Sequence, residues 1–184
     1  MILILGIGLR ILIYKNPQQQ DSHTTQSQTD QIYTYSPDKT KEIIIVYLPL
    51  ANDTQPTQTV QVYLQEKNKN KKLLWQEDDG RAGGLYIPSG INPWSFDQRF
   101  VYIMLSEPDA IDPIIIKTDG TAFSSGKLYI HLGVLFNKQT GYLINNIIGW
   151  NNIGKFSFSA VTNDLRDVGT YTFDPTTESF NHEK

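Results

Sequence analysis

The chain contains no cysteine. That absence removes disulfide staples, thiol nucleophiles, and zinc or iron–sulfur centres ligated by cysteine. It leaves the compartment open, because a domain of this size folds without disulfides. Charge is also scarce: Asp, Glu, Lys and Arg make up 19% of the residues, against about 25% in an average protein. Sixteen cations against nineteen anions leave a net charge of -3, too small a field to steer phosphate, an anionic membrane or an acidic substrate. A nucleic-acid partner is therefore not expected, and recognition must rest on local shape. Histidine is rare as well, with His23, His131 and His182 scattered along the chain, so a histidine-built zinc site is not expected.

Long apolar runs are missing too, with one short exception. Residues Met1 to Tyr14 read MILILGIGLRILIY, where Ile2, Leu3, Ile4, Leu5, Ile7, Leu9, Ile11, Leu12 and Ile13 follow neither a helical nor a strand period. A bilayer-spanning helix needs about 20 apolar residues; this stretch is shorter and carries Arg10. A cleaved secretory signal would place its cations first and small residues last, whereas here Lys15, Asn16 and Pro17 follow the apolar run. Three readings of residues 1–15 stay open: a buried terminal strand, an arm inserted into a neighbouring subunit, or a short membrane anchor. Residues 16–31 (NPQQQDSHTTQSQTDQ) offer no apolar side chain beyond Pro17 and cannot offset their ordering entropy by burial. They read as a flexible linker with a reach of about 20–24 Å. His23 is a solvated linker residue in this reading.

What is abundant is β material. With 184 residues and 21.0 kDa, the chain has room for one domain plus an appendage, and residues 32–184 form the expected domain. Glu42 to Leu50 (EIIIVYLPL) is a continuous β-branched run, and Thr59 to Leu64 alternates, with Val60, Val62 and Leu64 on one face. These two runs are expected to pair. Leu73 to Gln76, Arg99 to Leu105, Pro113 to Lys117, Lys127 to Phe136, Tyr142 to Ile148, Gly154 to Val161 and Thr170 to Phe173 supply further strands. In this reading Asn137 to Gly141 is a hairpin turn returning the Lys127 strand, His131 points outward, and the one helical turn lies near Thr162 to Val168. About eight to ten strands predict an all-β fold: an antiparallel β-sandwich of two sheets, jelly-roll connections being one option, with an apolar N-terminal arm or anchor.

Catalytic inventory is thin. Glu77, Asp78 and Asp79 precede Gly80, and Glu107, Asp109 and Asp112 occupy an acidic loop. Neither group has EF-hand spacing, and turn chemistry accounts for both. Gly80 to Gly84 lacks the lysine and hydroxyl of a phosphate loop. Lys67 to Lys72 reads as a solvated hairpin tip. No catalytic residue, metal or cofactor is expected.

Aromatic residues are the most suggestive functional material: three Trp, ten Tyr and eight Phe. Rings on a β surface stack on sugars or anchor protein interfaces, and asparagine amides beside them suit hydroxyl-bearing ligands. Tyr86, Trp94 and Phe96, with Trp150, Asn151 and Asn152 and the nearby Asn92, are the candidate binding residues. The competing account is that the tryptophans merely close the ends of the sandwich. These features predict a non-catalytic structural or assembly protein, a virion or cell-surface, membrane-associated component tethered by its N-terminus. Its partners would be proteins in a homo- or hetero-oligomeric assembly, with membrane contact through residues 1–15. The alternatives are a carbohydrate-binding or adhesive domain, and a hydrolase using Glu107 with Asp109 or Asp112.

Overall fold

The computed structural model describes residues 30–49, 58–79, 84–106 and 111–183. The apolar segment and all of the linker before Asp30 lie outside the described residues, as do Gly80 to Gly83, Glu107 and Asp109.

Among the described residues, twelve strands form three antiparallel sheets of four strands, with one helix between the second and third. The first sheet holds β1 (Asp30–Tyr35), β2 (Lys41–Pro49), β3 (Gln58–Glu66) and β4 (Lys72–Asp79); the second holds β5 (Leu85–Tyr86), β6 (Phe100–Ser106), β7 (Ile111–Lys117) and β8 (Tyr129–His131). After α1 (Leu132–Thr140) the third sheet follows, with β9 (Leu143–Trp150), β10 (Phe156–Val161), β11 (Asp167–Asp174) and β12 (Ser179–Glu183). In each sheet, strands adjacent in sequence are adjacent in space. The described strands therefore form three meanders, without the crossovers of a jelly roll.

The sandwich has three layers rather than the two expected. Ile43, Ile45, Val60, Val62 and Leu64 of the first sheet share one core with Val101, Ile103, Ile114 and Ile116 of the second. The opposite face of the second sheet, with Phe100, Tyr102 and Ile115, packs on Ile144, Phe156, Phe158 and Phe173 of the third and on Leu132 and Phe136 of α1. A strand buried on both faces needs apolar residues at consecutive positions. The uninterrupted runs FVYIML and PIII, the hearts of β6 and β7, satisfy that demand, and every residue in both runs is buried. In contrast, β3 alternates as expected and pairs with β2, Ile43 opposite Leu64 and Ile45 opposite Val62.

Several expectations are corrected. The Lys127 to Phe136 stretch is not one strand: β8 ends at His131 and α1 begins at Leu132. Leu132, Leu135 and Phe136 have the i, i+3, i+4 spacing of a buried helical stripe, and all three pack into the second core. Gly141 terminates α1 in the left-handed region at φ 77°, its N–H donating to the Asn137 carbonyl at 2.8 Å. Thus β9 is not the return of a hairpin; it pairs with β10. Thr162 to Val168 holds no helix: Thr162 Oγ1 accepts the Arg166 N–H at 3.0 Å and closes a turn. The backbone of Glu77 to Asp79 extends β4 instead of turning. At the other end, β1 begins at Asp30 and so takes in the last two residues of the expected linker.

Candidate functional site

The cleft that gathers most of the sequence-predicted residues lies between the loop leading into β6 and the end of β9. Its volume is about 210 Å³, and it is lined by Ile91, Asn92, Trp94, Phe96, Ile148, Trp150, Asn151 and Asn152. Five of the six proposed binding residues meet there, together with Asn92. Tyr86 does not: it sits on β5, paired with Met104, and is absent from the lining.

Local sequence chemistry builds each wall. On the first, Asn92 Oδ1 accepts the Trp94 N–H at 3.1 Å across Pro93, an Asx turn of the kind that favours this dipeptide. Trp94 then bridges to Val101. Ser95 and Phe100 close the tip of this small hairpin: Ser95 N–H donates to the Phe100 carbonyl at 2.9 Å, and Ser95 Oγ accepts the Phe100 N–H at 3.0 Å. Asp97 accepts from the Ser95 hydroxyl at 2.7 Å and from Arg99 N–H at 3.1 Å. Phe96 is left at the tip, 83% exposed.

The second wall is the β9–β10 hairpin. Asn151 Oδ1 accepts the N–H groups of Ile153 at 3.1 Å and Lys155 at 2.9 Å, and Gly154 takes the positive φ of 77° that the turn requires. The turn holds Asn151 and Asn152 on the cleft and presents Ile153, 70% exposed, beside it.

Two features hold the walls together. Trp150 Nε1 donates to the Pro93 carbonyl at 2.8 Å, while its ring lies against Phe100 and Phe156 at centroid distances of 6.0 and 5.1 Å. Gly149, at φ 105°, has no Cβ where one would stand 2.8 Å from Ile91 Cγ2. The glycine thus permits both the backbone conformation and the close approach.

The tryptophans are structural as well as lining. Trp94 is only 1% exposed and cannot be the open ring platform expected from the sequence; Phe96 is the exposed ring. Ile91, Ile148 and Gly149 were not among the expected site residues. The periodicity of β9 hides Ile148, which is 52% exposed on a strand that otherwise alternates poorly. Among the described residues, no lining side chain carries a charge.

A second grouping joins residues that the sequence reading kept apart. Asp112 is not in a loop; it lies buried on β7. Its Oδ2 is 2.7 Å from His131 Nδ1 and its Oδ1 accepts the Gly133 N–H at 2.9 Å. The carboxylate thereby caps the first turn of α1, a task that His131, the residue at the cap position, does not perform with its side chain. His131 consequently does not stand on an open sheet face. Its ring meets Trp75 and Tyr129 edge-on at 5.9 and 6.0 Å. Asp119, in the turn after β7, is likewise engaged, accepting from Arg99 at 3.2 Å and from Thr121 N–H at 2.9 Å. Burial works against its charge, but these hydrogen bonds outweigh it and hold its pKa below the ordinary value.

No protein-family model, curated protein or solved structure matches this chain. The site therefore has to be interpreted from its own chemistry. An uncharged aromatic and amide cleft with an exposed ring is suited to holding a ligand by stacking and hydrogen bonding.

Proposed function

We propose that this chain is a non-catalytic structural or assembly component whose β body is a recognition module. Residues 1–15 tie it to a neighbouring subunit or a membrane, and residues 16–29 space it from that attachment. A virion or a cell-surface complex is the setting that suits this layout.

The observation that carries the reading is the concentration of exposed apolar side chains around one cleft. Phe96, Ile148 and Ile153 are held outward on short hairpins and a strand edge, flanked by Asn151 and Asn152. Large apolar side chains gathered on ordered elements mark interaction surfaces. The entry of the chain supports the other half of the proposal. The described residues build three sheets with two shared cores, and β1, the first described strand, is at an edge of an outer sheet among those residues. The described chain thus begins on a peripheral strand.

Asp112, the described member of the acidic group considered for hydrolysis, is committed to His131 and the α1 terminus. That engagement favours a structural role for it.

The test compares the full-length chain with residues 30–184 by light scattering and liposome flotation. The proposal expects the shorter form to be folded and monomeric while the full chain assembles or floats. An unfolded shorter form, or two forms that are both monomeric and fail to float, would contradict it.

A further inference from the structure

The hydrogen-bonding inventory of the cleft is lopsided. Asn92 and Asn151 each commit their side-chain oxygen to neighbouring backbone N–H groups. Those bonds fix the orientation of both amides and leave each NH2 without an acceptor in the described structure. Behind them the Trp94 Nε1 is buried and has no hydrogen-bond partner among the described residues. The Pro93 carbonyl, which precedes Trp94 in the chain, is occupied by Trp150 Nε1 at 2.8 Å and Tyr102 N–H at 3.0 Å. Asn152 adds one uncommitted amide with both a donor and an acceptor, so the described lining offers more free amide donors than free amide acceptors and no charged side chain.

We propose that this cleft binds a neutral glycan, with one sugar ring stacked on Phe96 and its oxygens accepting from the amides of Asn92 and Asn151. The proposal rests on the reading of this face as a recognition surface and names its ligand class. A sugar ring supplies what the cleft lacks. It has an apolar C–H face for the exposed phenyl ring and several oxygens able to accept hydrogen bonds from the amides. A purely apolar partner surface would bury those donors unpaired, a costly arrangement. An anionic ligand would find no lysine or arginine in the lining to offset its desolvation.

The three tryptophans provide the readout, since Trp94 and Trp150 line the cleft whereas Trp75 borders a different depression with Leu73, Lys127 and Tyr129. Indole N–H resonances of the full-length chain would be followed during titration with lactose, maltose, cellobiose and diacetylchitobiose, with sialyllactose as the charged comparison. At least one neutral disaccharide is expected to shift Trp94 and Trp150 saturably, leave Trp75 unmoved, and bind about tenfold or more weakly to Phe96→Ala. Phe96 is exposed enough for that variant to fold, and an unchanged Trp75 resonance checks that it has.

Three results would overturn the proposal: no response to any neutral sugar, tighter binding of sialyllactose than of lactose, or equal movement of Trp75. If no sugar binds but Phe96→Ala abolishes self-association of the full chain, the ligand class falls and the recognition face stands. If Phe96→Ala changes neither sugar binding nor association, both fall.

Discussion

Trp150 donates its indole N–H to the carbonyl of Pro93, at 2.8 Å and 57 positions away in the chain. This one bond ties the end of β9, in the third sheet, to the loop that feeds β6 of the middle sheet, and both partners belong to the cleft region. Trp150→Phe keeps most of the ring packing but removes the donor. It is expected to lower stability by about 1–2 kcal/mol, measured by urea denaturation, and to weaken ligand binding as the walls separate. Unchanged stability would show that the bond is incidental.

Gly149 is the second device that closes the cleft. A Cβ there would meet Ile91 at 2.8 Å in a backbone region that other residues rarely adopt. Gly149→Ala is expected to cost about 1–3 kcal/mol and to move the Trp94 and Trp150 resonances without ligand. A variant as stable as the parent, with an unchanged spectrum, would contradict the packing argument.

Gly133 answers a similar question at α1. Alanine ordinarily favours a helix over glycine by about 1 kcal/mol. Here, however, an added Cβ would lie 3.0 Å from both Asp112 Oδ1 and the Ile111 carbonyl. The steric effect is expected to win, so Gly133→Ala should melt at a lower temperature than the parent. Asp112→Ala should be worse, by about 2–4 kcal/mol, because it leaves the Gly133 N–H without its acceptor. A stabilised Gly133→Ala variant would mean that the helix can shift away from β7 at little cost.

Acid should destabilise the fold through carboxylates whose pKa values are held down. Asp38 lies well below its ordinary 3.8 because it accepts hydrogen bonds from Thr40 N–H and from the hydroxyls of Ser36 and Thr40. Asp119 is lowered too. For such groups the unfolded chain takes up protons first as pH falls, so their contribution is complete above 3.8 and is lost on descending through the folded values. The melting temperature is expected to fall below about pH 4, and Asp38→Asn should flatten part of that decline. An identical pH profile in the variant would contradict the assignment.

Tyr102 is fully buried between the middle and third sheets, and its hydroxyl has no hydrogen-bond partner among the described residues. Burial, reinforced by nearby Tyr86, pushes its pKa up to about 12. Tyr102→Phe removes an unsatisfied polar atom without opening a large cavity and is expected to raise stability by about 1 kcal/mol. A loss of stability would indicate that the hydroxyl does find a partner.

The legible parts of this fold are those where a local pattern has one structural meaning. β-branched runs and strict alternation located β2, β3, β6, β7 and β10, and the pairing of β2 with β3 followed from their proximity and matching apolar content. α1 was obscured because Leu128, Ile130 and Leu132 continue an alternation across the true boundary at His131. The spacing of Leu132, Leu135 and Phe136, followed by Gly141, carried the competing helical signal. β5 and β12 are short, and Ser179 to Glu183 has a single apolar residue, so neither offered a period to detect. The third layer was implicit in the unbroken apolar runs of β6 and β7. In the cleft, loop composition marks Trp94, Phe96, Trp150, Asn151 and Asn152 as candidates, but Trp94, which bridges to Val101, is buried. The Asp112–His131 contact likewise depends on β7–β8 register, which no local pattern encodes.

The most direct test of the central claim is amide hydrogen exchange in the full-length chain and in residues 30–184, recorded under the same conditions. If residues 1–15 serve attachment and the body is a recognition module in its own right, all three sheets keep the same protection in both forms, and protection within 1–15 appears only when the full chain is assembled or membrane-bound. Loss of protection in β1 to β4 on truncation, with residues 1–15 already protected in the monomer, would make that segment part of the core and contradict the account.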